Sequence, residues 1–254
     1  MTASQTSSVP AVAAGRTGCG RPMRRDARRN REAILAAART AFAARGLQAP
    51  LEMVARNAGV AIGTLYRHFP SRLHLVESVF TDKTRAWVDA AEQALAMPDA
   101  WDGFAYYLER LCELQADDRG FNDVACMRLA STCGLEEIKD RACRLGRRIV
   151  ARAHRSGSLR ADVTAEDIAF LLWASTRITE ATCSVAPRAW RRHLGLMLDG
   201  FRADGAHALP EPPLRPRQVH EAMRVLADPS RGDGRTVPML PGPLCAERCP
   251  AAAG

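Results

Sequence analysis

Residues 51–76, LEMVARNAGVAIGTLYRHFPSRLHLV, carry the spacing that says most about chemistry in this chain. Leu51, Val54, Ala55 and Ala58 recur at helical intervals. Gly59 follows, the residue type that takes a positive φ and stops a helix. Ile62 to Phe69 restarts a helix, with Leu65 and Phe69 one turn apart on the side expected to be buried. Two short helices around a tight turn make a helix-turn-helix, which lays its second helix in the DNA major groove. The chemistry is recognition of a polyanion and its bases rather than bond making. The sequence holds no P-loop, no GxSxG, no HExxH and no helix-borne Glu-x-x-His pair. An enzyme built on a helical bundle therefore finds no support, and no cofactor or metal is implied.

Charge points the same way. The net charge is +8, and residues 1–50 hold nine arginines against only Asp26 and Glu32. Nearly all of the excess thus lies beside the reading motif, where it favours a polyanionic partner. Residues 1–25 lack periodicity and read as a flexible arm, basic from Arg21 onward through Arg28 and Arg31. Such an arm is either a solvated terminus or a minor-groove contact. No apolar run approaches the ~18 residues of a membrane span, so no membrane partner is expected. The opening MTASQTSSVPAVAAGRTG lacks the build of a secretory signal, and a cytoplasmic, reduced protein is the simplest expectation.

The elements that must position the motif are all helices. Ile34, Ala38, Ala41 and Phe42 form one stripe over 26–45, and Gly46 ends it. Ser71 is a plausible N-cap for a helix running to about Met97, although His74 stands where a capping box would want Glu or Gln. Further stripes fall at Phe104, Leu108, Leu111 and Cys112, and at Ile138, Ala142, Leu145 and Ile149, with a short helix near 121–131 between them. Thr164 with Asp167 resembles a capping box that opens a helix to about Thr182, and Pro187 opens a last one. The expected fold is all-α, a three-helix helix-turn-helix domain followed by a helical bundle. Its segments are an arm at 1–25, the helix-turn-helix DNA-binding domain at 26–72, the helical bundle at 73–204, and a tail at 205–254. That tail holds nine of the fifteen prolines and reads as mostly disordered. Within it, Val219, Met223 and Leu226 can form a short docked helix.

The run AGVAIGTLYRHFPSR, followed by an apolar-patterned helix and preceded by REAILAAARTAFAARG, resembles the TetR family of one-component transcriptional regulators. The segment DVTAEDIAFLLWA…WRRHLGLMLDGFRA is similar to the SbtR-like branch of that family. The resemblance implies that the bundle at 73–204 is a regulatory, ligand-binding and dimerisation domain, with a homodimer on a palindromic operator and repression relieved by a small-molecule effector. Carried over residue by residue, Gly63 and Thr64 open the recognition helix, where a small residue admits close backbone approach and a hydroxyl reaches phosphate. Tyr66 matches the DNA-facing tyrosine, able to touch a thymine methyl. Arg67 joins the DNA-binding set, His68 falls on the exposed side, and Arg72 sits where a basic phosphate clamp is usual. Ile62 departs from the family, which often has a basic or polar residue there.

Downstream the residues are less specific. Phe104, Tyr107, Leu111, Met127, Trp173 and Arg177 are candidates to line an effector pocket, though aromatic and Met residues at helical spacing also serve as plain core. Arg177, on so apolar a helix, needs a partner such as Glu180, an interface carboxylate or an acidic effector. Ile168, Leu171, Leu172 and Ser175, with Trp190, Leu194, Leu198 and Phe201, are candidates for a dimer interface built from an antiparallel hairpin; the alternative is burial within one subunit. Cys112, Cys126, Cys133 and Cys143, with His154, match no compact zinc spacing. They read as free apolar thiols, with a thiol- or metal-responsive regulator as the alternative. A non-specific architectural DNA protein is the other competing reading, distinguished by steep salt dependence and little sequence preference.

Overall fold

A computed structural model describes residues 21–116, 118–126 and 133–227. Met127, one of the pocket candidates, lies outside the described residues, as do the side chains of Cys126 and Cys133. Among the described residues ten helices follow in order: α1 Arg21–Arg45, α2 Leu51–Asn57, α3 Ile62–His68, α4 Arg72–Ala96, α5 Ala100–Gln115, α6 Arg119–Cys126, α7 Cys133–Arg155, α8 Ala165–Thr182, α9 Ala189–Phe201 and α10 Pro216–Ala227. Among the described residues the only β pairing is one isolated bridge between Leu159 and Arg202. The fold is all-α, as the periodicity predicts. The expected arm at 1–25 needs correction at its end, because residues 21–25 already belong to α1.

Local chemistry accounts for the helix boundaries. Gly46 ends α1 with φ 71°, and Gly59 ends the α2 turn with φ 68°, both in the left-handed region that Cβ disfavours. Ser71 caps α4: its Oγ accepts from the His74 backbone N–H at 3.4 Å. Its Oγ also lies 2.8 Å from His74 Nδ1, so the histidine side chain reaches back to the cap where Glu or Gln would otherwise stand. At α8 the Thr164 N–H donates to Asp167 Oδ2 at 2.7 Å, the expected capping interaction. The C-terminal end of α4 is closed from a distance by Arg152, which donates to the carbonyls of Ala94, Leu95, Met97 and Pro98. A cation there satisfies carbonyls that have no partner inside the helix.

One continuous apolar core runs from Ile34 in α1 to Phe201 in α9. Helix α4 is its spine, packed most extensively on α7 and α5, while α8 and α9 pair as an antiparallel hairpin. That hairpin corrects the expected dimer residues. Ile168, Leu171, Ser175, Trp190, Leu194 and Phe201 are all buried inside the subunit, and Leu172 and Leu198 are half-buried. A helix that is apolar nearly all round gives no periodicity to tell its inward side from its outward one. The large apolar side chains the hairpin leaves exposed are others: Phe170, Val185 and Leu196.

Candidate nucleic-acid interface and effector cavity

The reading head is built from α1, α2, α3 and the first turn of α4. Leu51, Val54 and Ala55 of α2, Leu65 of α3 and Phe69 just after it are buried, together with Ile34, Ala38 and Phe42 of α1. With Leu65 and Phe69 inward, the rest of α3 has to face away. Tyr66 is 45% exposed, Ile62 is 37% exposed, and Gly63 and Arg67 are exposed as well. A Cβ on Gly63 would meet nothing within 4 Å. The glycine therefore has no steric reason inside the molecule, although it costs a helix roughly 1 kcal/mol relative to alanine. Thr64 is half-buried at the same end of the helix.

Two of the expected contact residues sit differently. His68 is half-buried rather than outward: its ring lies against Phe69, and its Nε2 is buried without a partner. Arg72 does not reach outward as a free phosphate clamp with its Nη1, which donates to the Leu47 carbonyl at 2.7 Å and the Ala49 carbonyl at 2.6 Å. It fastens the head of α4 to the turn between α1 and α2. From the other direction, Asp123 Oδ2 on α6 accepts the Leu47 N–H at 2.8 Å. Both backbone groups of Leu47 are thus held by the bundle, one by α4 and one by α6. Burial pushes the Asp123 carboxyl above the usual carboxylate range, against the opposing pull of the Leu47 N–H and Arg119.

On α1, Arg25, Arg28, Arg29, Arg31, Arg39 and Arg45 are exposed. Arg31 stacks over the Phe69 ring at 4.7 Å from its centroid, which fixes the guanidinium beside α3. Arg28 pairs loosely with Glu32 at 3.8 Å, an exposed contact of little energetic weight.

Between α4 to α8 and α10 lies a cavity of about 250 Å³ that is partly open to the surface. Tyr107, Leu111 and Trp173 line it. Phe104 does not: it is fully buried between Trp101 and Phe201 in the solid core. Nor does Arg177, which is exposed and finds the expected partner in Glu180 at 2.8 Å. The wall includes residues that sequence reasoning missed, among them Trp87, Gln115, Phe121, Gly146, Arg147 and Glu166. Trp87 Nε1 donates to the Tyr107 hydroxyl at 3.0 Å, and burial raises the pKa of that hydroxyl, keeping it protonated. A Cβ on Gly146 would stand 2.7 Å from the same hydroxyl. The Oε1 of Gln115 is buried with no partner.

The thiols of Cys112 and Cys143 are not activated. Burial pushes the Cys112 thiol up to about 11 and raises that of Cys143. A thiol held above its ordinary pKa carries little thiolate at neutral pH and reacts slowly. Among the described residues no group of three or more His, Cys, Asp or Glu side chains is placed to hold a metal ion.

Family comparison agrees with this geometry. Residues 34–79 match the model for bacterial regulatory proteins of the tetR family, and residues 99–203 match the C-terminal domain of SbtR-like transcriptional regulators. The chain belongs to the TetR family. It is a transcriptional regulator with a helix-turn-helix DNA-binding domain and a helical C-terminal domain. A TetR transcription regulatory protein from Mycobacterium vanbaalenii is 32% identical, covering 71% of this chain and 99% of its own, with a TM-score of 0.42. A TetR regulator from Streptomyces coelicolor is 29% identical, covering 68% of this chain and 98% of its own, with a TM-score of 0.44. The ketosteroid regulator KstR2 of Mycobacterium tuberculosis is 20% identical, covers 68% of this chain and 94% of its own, and shares the fold at a TM-score of 0.51. A comparison with curated proteins finds no match. No described helix is long and apolar enough to cross a membrane.

Proposed function

We propose that this TetR-family regulator is a homodimeric repressor that leaves a palindromic operator when a small, mostly apolar molecule occupies the bundle cavity. The observation that carries the DNA half is the division of α3: Leu65 and Phe69 anchor it, and Gly63, Tyr66 and Arg67 stand outward. Thr64 and Arg31 flank that face, with Arg28 further along α1 adding charge toward phosphate. Arg72 serves by positioning the α1–α2 turn, and His68 by packing.

One helix-turn-helix reads one half-site, so an operator of useful specificity calls for two copies roughly 34–36 Å apart. The exposed Phe170 and Leu196 of the α8–α9 hairpin suit an isologous contact. Gly195 and Gly200 support it, since both are exposed on α9 and a Cβ on either would meet nothing in the subunit. Small residues there let a partner helix approach closely.

The cavity suits a compact aromatic or alicyclic effector, because Trp87, Tyr107, Phe121 and Trp173 supply flat apolar walls. Gln115, Arg147 and Glu166 supply the few polar groups that would orient it. Phe121 and Ala125 of α6 line the cavity, while Asp123 of the same helix holds Leu47. An effector that binds one placement of α6 better than another would shift the head through that bond, and only by its differential affinity.

The test is a footprint on the promoter region adjoining the gene, at physiological salt. A protected palindrome with two half-sites one helical turn apart, lost on Tyr66→Ala, is the expected result. A complex that ignores competitor DNA and the Tyr66→Ala change would mean architectural binding instead.

A further inference from the structure

We infer that helix α10 is a removable wall of the partly open bundle cavity, and that its displacement widens the way in and out for ligand. This rests on the reading that the cavity holds the effector. Pro216 and Val219 of α10 line the cavity beside residues of the bundle, and Val219 is only 7% exposed. Both lie beyond the residues 99–203 that match the family's regulatory domain. The wall is therefore an addition contributed by this chain's own C-terminal extension.

The start of α10 is encoded locally. Pro216 takes the first helical position, where a missing N–H costs nothing. Gln218 Oε1 reaches back to accept the Arg215 N–H at 2.8 Å, the returning half of a capping box. A twelve-residue helix is nevertheless marginal in water, so its persistence depends on what its apolar side covers.

The tether leaves α10 free to move as a unit. Residues 206–213 are all exposed and include Pro210, Pro212 and Pro213. Arg160 holds this strap by donating to the His207 carbonyl, ahead of the prolines. Beyond that point the main contacts of α10 are with α6 and α8. Helix α6 is also the one that grips Leu47 of the reading head. The extension thus touches both the cavity and the element that joins it to the DNA-binding domain.

The experiment uses the full chain and the uncharged fluorophore N-phenyl-1-naphthylamine as probe. Trp87 and Trp173 in the cavity wall report its arrival by energy transfer in stopped flow. In Val219→Asp, association and dissociation should both accelerate at least about tenfold. In Val219→Ala the acceleration should be smaller, with a ceiling of roughly tenfold set by the two buried methyl groups removed. Hydrogen exchange of the α10 amides should rise in both variants, while circular dichroism stays that of the parent. If Val219→Asp does not fold, Val219→Ala decides alone. Probe binding with rates unchanged by either substitution overturns the removable wall and leaves the cavity reading standing. Probe binding to none of the three proteins removes the cavity reading, and this inference with it.

Discussion

The reading head and the sensor bundle use similar residues in opposite ways. On α3, alternate side chains divide sharply: Leu65 is fully buried and Tyr66, its neighbour, is nearly half exposed. On α8 the division runs through apolar residues on every side: Ile168, Leu171 and Ser175 form the buried face, Phe170 is exposed and Leu172 lines the cavity. The head presents chemistry to a partner of fixed shape, so its outward residues are set by a short rigid motif. The bundle encloses chemistry, so its functional surface is whatever gap several helices leave between them. Substitutions should therefore separate stability from function cleanly in the head and mix them in the bundle.

The strongest way to break that contrast lies under the recognition helix. Phe69→Ala removes a buried ring that also carries Arg31, and should cost about 3–5 kcal/mol in urea unfolding, with operator binding lost as a consequence. Tyr66→Ala should do the reverse. Its unfolding midpoint should match the parent, while operator affinity falls about 10- to 100-fold, as roughly 1–3 kcal/mol of base contact implies. A Tyr66→Ala protein that binds its operator normally would remove the outward face of α3 from DNA recognition.

At the seam between the two regions, Gly120 on α6 sits so close to α1 that a Cβ would lie 2.8 Å from Phe42 Cβ and from Phe80 Cζ. Gly120→Ala should destabilise by about 1–3 kcal/mol through overpacking, read as a lowered thermal midpoint. Operator affinity measured well below that midpoint then shows whether the seam transmits strain to the head.

A smaller effect is expected at Asp123. Its folded pKa is raised by burial, so its contribution to stability is present below the ordinary carboxylate pKa and is lost as pH rises through the raised folded value. Asp123→Asn keeps an acceptor for the Leu47 N–H without the charge. As pH rises above the ordinary aspartate range of about 4, wild-type stability should fall relative to Asp123→Asn in urea titrations. Parallel curves would remove the charge at Asp123 from the account of the seam. The smallest change belongs to Arg31→Ala, which should lower the slope of log binding constant against log salt by roughly one if Arg31 neutralises a phosphate.

How much of this was legible in the sequence follows from how local each signal is. The helix-turn-helix, the glycine stops at Gly46 and Gly59, and the caps at Ser71 and Thr164 depend on residues within one or two turns, and the structure has them where the spacing puts them. The docked tail helix was legible for the same reason, through Val219. The pocket was half legible. Tyr107, Leu111 and Trp173 line it, but Phe104, an aromatic on the same stripe as Leu111, fills solid core. Nothing in spacing separates a side chain beside a gap from one beside another side chain.

What the sequence determined by itself was the helical fold, the reading motif and the family, because these rest on periodicity, capping and a contiguous string of residues. Only the tertiary structure decided that Arg72 and Asp123 clasp the two sides of Leu47, that His68 packs rather than reaches outward, and that the apolar residues of α8 and α9 named as an interface are spent inside the subunit. The clasp on Leu47 and the packing of the α8–α9 hairpin depend on groups far apart in the chain brought within hydrogen-bond or van der Waals distance. A one-dimensional pattern gives the direction of a side chain around its own helix, but not the neighbour that waits there.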